Sequence, residues 1–326
     1  MAENTNSFHI LSLSGGGYKG LFTAVILEKL EEEFGCPIAK KFDLLAGTSI
    51  GGIIALALAN EIPAKRIKEL FINDKNKIFG NGSLLKGLFL NSKYNNNGLR
   101  ECLYEIFQKK KIGALKHRII IPTINYTKGS TQILKTRHHK NFKMDINWSL
   151  VDAALATSAA PIYFPIFKSE YGNFVDGGIV ANHPGVFAYM EALNYLEIKP
   201  ENIFQLHIGT TEHKVMASGR KNLRKTGLLS WREKLLELFF SCQEQSTEQI
   251  LSFILQDRYY SINSPSDNEQ NKVLSLDNIS KDAQELLIQK ANEALKQFQG
   301  NSFYQIFNSY NAKDFKQIPL EEGDER

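Results

Sequence analysis

The amino-acid sequence predicts an α/β fold: a mostly parallel central sheet flanked by helices, with a helical appendage at the C-terminal end. Three observations predict it. Residues 8–13 (FHILSL) and 21–35 (LFTAVILEKLEEEFG) read as a strand followed by a helix. Residues 42–46 (FDLLA) and the uncharged run to Ala59 repeat that order at once. Another apolar strand, 203–208 (IFQLHI), follows further on. Strands joined through helices run parallel, because the crossover returns the chain to the same end of the sheet.

Each element has a local cause. In the first helix Leu21, Val25, Leu27, Leu30 and Phe34 fall near helical spacing, and Gly35 supplies a stop. Between the two βα units the turn reads Gly47-Thr48-Ser49-Ile50-Gly51. Strand, G-x-S-x-G, helix is the layout of a nucleophile elbow, which holds a serine on a sharp turn with its hydroxyl exposed. Gly47 and Gly51 are required there because a Cβ would collide with the neighbouring strand and helix. Amphipathic pieces follow at 65–71 and 99–113, and between them 84–90 sets Leu and Phe among Gly, Asn and Lys. That stretch fits a lid or membrane-touching loop, and equally a helix pair covering the sheet. Residues 116–126 and 131–137 read as two strands around Thr127-Lys128-Gly129-Ser130. A small-residue helix, 148–160, ends at Pro161. Phe174 and Val175 close a strand, Asp176-Gly177-Gly178 turns, and Pro184 opens another helix.

From about residue 212 the character changes. Residues 214–225 are basic, 231–256 form a long amphipathic helix, 258–272 (RYYSINSPSDNEQNK) read as irregular and polar, and Asp277-Asn278-Ile279-Ser280 caps a last helix. The expected organisation is a catalytic domain at 8–211 with a helical C-terminal extension, 212–326, packed on it.

Composition narrows the class. With 326 residues, 43% apolar and 23% charged, the chain reads as an ordinary globular protein. A formal charge of +4 gives no argument for nucleic acid as a partner. Cys36, Cys102 and Cys242 are widely spaced, lack metal spacing and fit a reducing cytoplasm. The first residues, MAENTNSF, lack the basic-then-apolar pattern of a secretory signal. The longest uncharged apolar run, 44–59, is too short and too rich in glycine to span a membrane. Any membrane contact is therefore expected to be peripheral.

The loop at 15–20 admits two readings. Gly15-x-Gly17-x-x-Gly20 after a strand and before a helix matches the dinucleotide fingerprint. That reading wants an acidic residue at the end of the next strand, but Asp43 lies near its start. No G-x-x-x-x-G-K-[ST] occurs, which excludes a Walker loop. The alternative, favoured by the elbow that follows, is an oxyanion hole built from Gly15, Gly16, Gly17 and Gly20, with Lys19 adding positive charge. A serine nucleophile needs a base. Among seven histidines, His183 and His207 lie nearest strand ends, yet neither has the context of a triad member. Asp176 remains. An aspartate is a weak base for a hydroxyl in water, so a dyad with Ser49 demands strong oxyanion stabilisation.

Gly-Gly-Gly-x-Lys-Gly at 15–20, Gly-Thr-Ser-x-Gly-Gly at 47–52, Thr-Ser-Ala-Ala-Pro at 157–161 and Asp-Gly-Gly-x-x-x-Asn-x-Pro at 176–184, in this order, resemble the patatin-like phospholipases. The resemblance implies a three-layer patatin-like fold and a lipid acyl hydrolase working through an acyl-enzyme, with Ser49 and Asp176 as the dyad and no metal. Lys19 stands where many members carry arginine, and His183 where many carry a second asparagine. The run from Ile10 to Ala59 is further similar to bacterial patatin-like effectors of anti-phage signalling. That likeness implies activation by a cyclic dinucleotide made by a partner nucleotidyltransferase, and degradation of membrane phospholipid at the inner face of the cell. It would put the nucleotide on the basic residues of 109–143 or 214–225, for which a solvated face is the plainer account. A homo-oligomer is left open. A constitutive lipase or esterase and a non-enzymatic nucleotide-binding module are the competing classes.

Overall fold

A computed structural model describes residues 6–80, 92–211 and 228–321, with the side chains of 228–233 and 268 outside the description. The stretches 84–90 and 214–225 therefore lie outside the described residues. In chain order the elements are β1 (Phe8–Leu13), α1 (Gly20–Phe34), β2 (Leu44–Gly47), α2 (Ile50–Ala59), α3 (Ala64–Asn73), α4 (Lys75–Phe79) and α5 (Asn97–Phe107). Then come β3 (Arg118–Asn125), β4 (Ser130–Lys135), α6 (Leu150–Thr157), β5 (Phe167–Ser169), β6 (Gly172–Asp176), α7 (Gly178–Ala181), α8 (Gly185–Asn194) and β7 (Ile203–Ile208). The C-terminal part holds α9 (Leu228–Leu255), β8 (Tyr259–Ile262), α10 (Asn268–Val273), α11 (Lys281–Gln299) and α12 (Ser302–Ser309).

The strands form one eight-stranded sheet in the order β5-β6-β3-β2-β1-β7-β8, with β4 also on β3. β3, β2, β1, β7 and β8 run parallel, whereas β4, β5 and β6 add antiparallel pairings. Alternate residues serve two cores, as the pleat requires. Leu11, Leu13, Leu45, Ile119, Ile121 and Ile208 face a cluster with residues of α1, α2, α3, α5, α6, α11 and α12. Phe8, Ile10, Leu44, Ala46, Ile120 and Ile203 face a second cluster with α8 and the end of α9. Helices thus cover both faces, which gives three layers and explains why β1 is buried along its whole length. α1 ends as expected: Gly35 adopts the left-handed conformation at φ 64°, and its N–H bonds back to Glu31.

One pairing pattern positions the site. β4 runs along one edge of β3 from Ile120 to Asn125. The other edge is shared: β2 pairs with Arg118 to Ile120 and β6 with Thr123 to Asn125, in opposite directions. β2 and β6 therefore point their carboxyl ends at each other across Ile121 and Pro122.

The region expected to be irregular at 258–272 departs from that expectation. Tyr259–Ile262 forms β8, parallel to β7, and Asn268–Val273 is a helix. A four-residue strand has too few positions to show alternation, and β8 exists because the edge of β7 offers it backbone partners. The helix is announced by a capping box: Asp267 accepts the N–H groups of Glu269 and Gln270, while Gln270 reaches back to the Asp267 N–H. The four-residue signature Asp267-Asn268-Glu269-Gln270 is the signal in the sequence that marks this helix. The C-terminal region is thus not helical throughout, since it supplies an edge strand to the sheet.

Candidate active site

Ser49 sits two residues past the end of β2 with φ 55° and ψ −125°, a backbone state rarely occupied by non-glycine residues. The flanking glycines permit it. A Cβ at Gly47 would run into the Gly51 carbonyl, and one at Gly51 into the carbonyls of Leu13 and Ser14 at the end of β1. Asp176 is the last residue of β6, and its side chain meets Ser49 where the two strands converge. The Ser49 hydroxyl donates to Asp176 Oδ2 at 2.7 Å. The other carboxylate oxygen, Oδ1, accepts the Gly178 N–H at 2.6 Å, which fixes the carboxylate plane. Asp176 is fully buried and Ser49 is 8% exposed. Burial pushes the Asp176 carboxyl up to about 7, against the opposing effect of the bonds from Ser49 and Gly178. A carboxylate near neutrality is a far better proton acceptor than a solvated one.

The glycine loop between β1 and α1 packs beside Ser49, and its polar groups are largely assigned. The Gly15 N–H donates to Asn182 O at 3.1 Å, and the Gly15 carbonyl accepts the Thr210 hydroxyl at 3.0 Å. The Gly16 carbonyl accepts the Lys19 N–H at 3.2 Å, and the Gly17 carbonyl accepts that of Gly20. Tyr18 N–H donates to Leu276 O at 2.7 Å. Among the described residues no acceptor is found for the N–H groups of Gly16 and Gly17, and both residues border the same cavity as Ser49. Of the five residues expected to form an oxyanion hole, these two are the ones whose backbone N–H groups have no acceptor among the described residues.

Gly15, Lys19 and Gly20 have other duties. Gly20 is needed for packing, since a Cβ there would strike Ile50 and Phe71. Lys19 is buried and borders a separate polar cavity with Asn182, Thr210, Glu237 and Glu244. Burial lowers its ammonium from the usual lysine range, while Glu244 and Glu237 oppose that shift. Lys19 thus lines this cavity and not that of Ser49, and the carboxylates whose charge favours its ammonium belong to α9. The sequence could not reveal this because Glu237 and Glu244 lie more than two hundred residues away in the chain.

The Ser49 cavity is apolar. Ile53, Ile54, Ile67, Leu70, Leu103 and Ile106, from α2, α3 and α5, line its length, and Tyr18, Phe71, Tyr163, Phe164 and Phe240 add rings. It has the shape and chemistry to hold a hydrocarbon chain with one end at the serine. His183 and His207 stand apart from this site. They stack on each other at 3.5 Å; His207 bonds Ser12 and Ser14, and His183 bonds Tyr259. Burial first, and His207 second, hold His183 well below its usual range, so it is neutral.

Sequence reasoning missed the residue that supports Ser49 from beneath. Thr157, in the Thr-Ser-Ala-Ala-Pro motif, accepts the Ser49 N–H at the end of α6. Of the basic residues offered for a nucleotide at 109–143, several are already engaged: Lys116 pairs with Glu61 at 2.5 Å, Lys135 with Glu191 at 2.6 Å, and Arg137 is buried. Among the described residues no cluster of ligating side chains has the geometry for a metal ion. No described helix is long and apolar enough to cross a membrane.

A serine on a strained strand-to-helix turn, a buried carboxylate bonded to it and an apolar cavity on an α/β sheet define a lipid ester hydrolase. The chain belongs to the patatin-like phospholipase family, whose model matches residues 11–188. It is 42% identical to a cGAMP-activated phospholipase of Pseudomonas aeruginosa, over 94% of this chain and 93% of that protein. It is 31% identical to another cGAMP-activated phospholipase, from Escherichia coli, over 96% of each chain. A cUMP-AMP-activated phospholipase from Escherichia coli is 27% identical over 78% of this chain and 80% of its own length. Among solved structures, VipD from Legionella pneumophila is similar with a TM-score of 0.43 and 13% identity, covering 88% of this chain and 67% of that one.

Proposed function

We propose that this protein is a phospholipase that a cyclic dinucleotide switches on, and that it cleaves acyl esters of membrane phospholipids with Ser49 as nucleophile and Asp176 as base. The observation that carries the chemistry is the 2.7 Å bond from the Ser49 hydroxyl to the buried Asp176 carboxylate at the side of an apolar cavity. The nucleotide control is supported by the names of the relatives that match along nearly the whole chain.

In this reading the acyl chain lies along Ile53, Ile54 and Leu103, with the ester carbonyl at Ser49. Ser49 Oγ attacks the carbonyl carbon while its proton passes to Asp176 Oδ2. The carbonyl oxygen becomes an oxyanion beside the N–H groups of Gly16 and Gly17, which are fixed before it forms. Collapse breaks the bond to the glycerol oxygen, and Asp176 returns the proton to that leaving alkoxide. The acyl group is left on Ser49. Water then attacks, giving its proton to Asp176; collapse releases the fatty acid and the proton returns to Ser49. Residues 8–211 are the catalytic unit, and 212–326 is a C-terminal extension that packs on it. The setting is the cytoplasm, with peripheral contact at the inner membrane, and a partner nucleotidyltransferase supplies the activator as part of anti-phage defence.

The test is fatty-acid release from phospholipid vesicles, with and without a panel of cyclic dinucleotides, for wild type, Ser49→Ala and Asp176→Asn. We expect nucleotide-dependent release by wild type and a loss of at least about a thousandfold in each variant. Full activity in either variant overturns the dyad, and equal activity without nucleotide leaves a constitutive lipase.

A further inference from the structure

The C-terminal region meets the glycine loop through the backbone at Leu276, and the Tyr18 hydroxyl also donates to Gln284 Oε1 at 3.3 Å. Leu276 O accepts the Tyr18 N–H at 2.7 Å and lies so close to Gly17 that a Cβ there would collide with it. Gly17 itself is at φ 58°, so both its conformation and its contact with Leu276 call for glycine. The next residue ties this strap down. Asp277 pairs with Lys93 Nζ at 2.5 Å and accepts the Tyr94 hydroxyl at 2.7 Å. Lys93 and Tyr94 are in turn held by backbone bonds to Ile162 and Tyr163, and Tyr163 lines the Ser49 cavity. A few residues on, Lys75 donates to Ile279 O at 2.9 Å and Gln284 Oε1 at 2.8 Å, joining the strap to another residue that lines the same cavity.

We infer that Leu276 and Asp277 form a positioning strap for the oxyanion loop, with Asp277 as its anchor; this rests on the phospholipase reading above. Three consecutive glycines are conformationally permissive, and their N–H groups stabilise an oxyanion only if they are aimed in advance. The catalytic half pins the loop at the Gly15 carbonyl through Thr210. The Gly17–Tyr18 peptide, adjoining the Gly17 donor, takes its hydrogen-bond acceptor from the strap. Asp277 touches neither Ser49 nor the space for substrate, so it acts through Leu276. Loss of the anchor should misalign donors that matter in the transition state while leaving the apolar grip on the acyl chain in place. That is a loss in kcat rather than a rise in KM.

The experiment measures kcat, KM, the pH profile and the thermal midpoint of the full chain on phosphatidylethanolamine–phosphatidylglycerol vesicles with saturating cyclic GMP–AMP. Asp277→Ala is compared with Tyr94→Phe, which removes a single hydroxyl. We expect kcat to fall roughly tenfold or more in the first and about threefold in the second, with KM within about twofold. The ionisation near pH 7 should stay in place in both. Unchanged kcat in both variants overturns the strap, and so do losses of kcat that merely track a rise in KM and a fall in thermal midpoint. Wild type that releases no fatty acid overturns the phospholipase reading and the strap with it, whereas active wild type with equally active variants overturns the strap alone.

Discussion

Thr157 Oγ1 accepts the backbone N–H of Ser49 at 3.0 Å while its own proton goes to the Pro122 carbonyl at 2.6 Å. The threonine thus bridges the strained serine to the gap on β3 where β2 and β6 end. A residue at φ 55°, ψ −125° costs about 1–3 kcal/mol and persists only when its surroundings hold it there. Thr157 is one of those restraints, and Thr48, whose hydroxyl bonds Ala181 O at 2.6 Å, is another on the opposite side of the turn.

Thr157→Val should therefore leave two buried backbone groups unpaired, the Ser49 N–H and the Pro122 carbonyl. The expected loss is about 2–4 kcal/mol in urea unfolding and more than roughly tenfold in kcat. Thr157→Ser, which keeps the hydroxyl, should restore most of both. A fully active, fully stable valine variant would refute this role.

Acylation should depend on one ionisation near pH 7. In the proposed mechanism Asp176 accepts the Ser49 proton only as carboxylate, and burial has pushed its carboxyl up to about 7. The rate of acylation should rise with pH through neutrality and level off above it. Stopped-flow kcat/KM from pH 5 to 9 measures this, and a limb near the ordinary aspartate value would contradict the effect of burial.

The same group should oppose stability where it is most useful. Its folded pKa, about 7, lies above the unfolded value of 3.8, so between those values the folded chain holds the extra proton. Stability contributed by the protonated form is full below about pH 4 and is lost as pH rises towards 7. Asp176→Asn can still accept the Gly178 N–H through its amide oxygen, and its NH2 can donate to the Ser49 hydroxyl oxygen in place of accepting from it, without a buried charge. It should be inactive, yet more stable than wild type at pH 8 by up to about 4 kcal/mol. The gain should shrink towards pH 5, as calorimetry at the two pH values would register; an equal gain at both would exclude this cause.

Filling the apolar cavity should shorten the acyl chain accepted. Ile106, on α5, is a lining residue that is only partly buried, so a larger side chain there is tolerable. Ile106→Trp is expected to lower hydrolysis of long-chain p-nitrophenyl esters by more than about tenfold while the butyrate ester is little affected. Equal losses on both esters would show that the cavity does not hold the chain.

How much of this was legible beforehand follows from the range of each interaction. The sequence by itself determined the βα units, the stop at Gly35, the hairpin at 118–135 and the elbow around Ser49. Each depends on apolar spacing or on backbone freedom at glycines a few residues apart. It also named Ser49 and Asp176, through the order of their motifs. Tertiary structure alone decided that they meet, because 127 residues separate them and their approach depends on β2 and β6 sharing an edge of β3. It decided the raised pKa of Asp176, since burial is set by everything packed around a group rather than by its neighbours in the chain. It also decided which loop N–H groups lack an acceptor among the described residues, which cavity Lys19 lines, that Tyr259–Ile262 is a strand, and that Leu276 touches Tyr18. Local turns and helices are governed by contacts within a few residues. Proton affinity and donor alignment are governed by the whole fold.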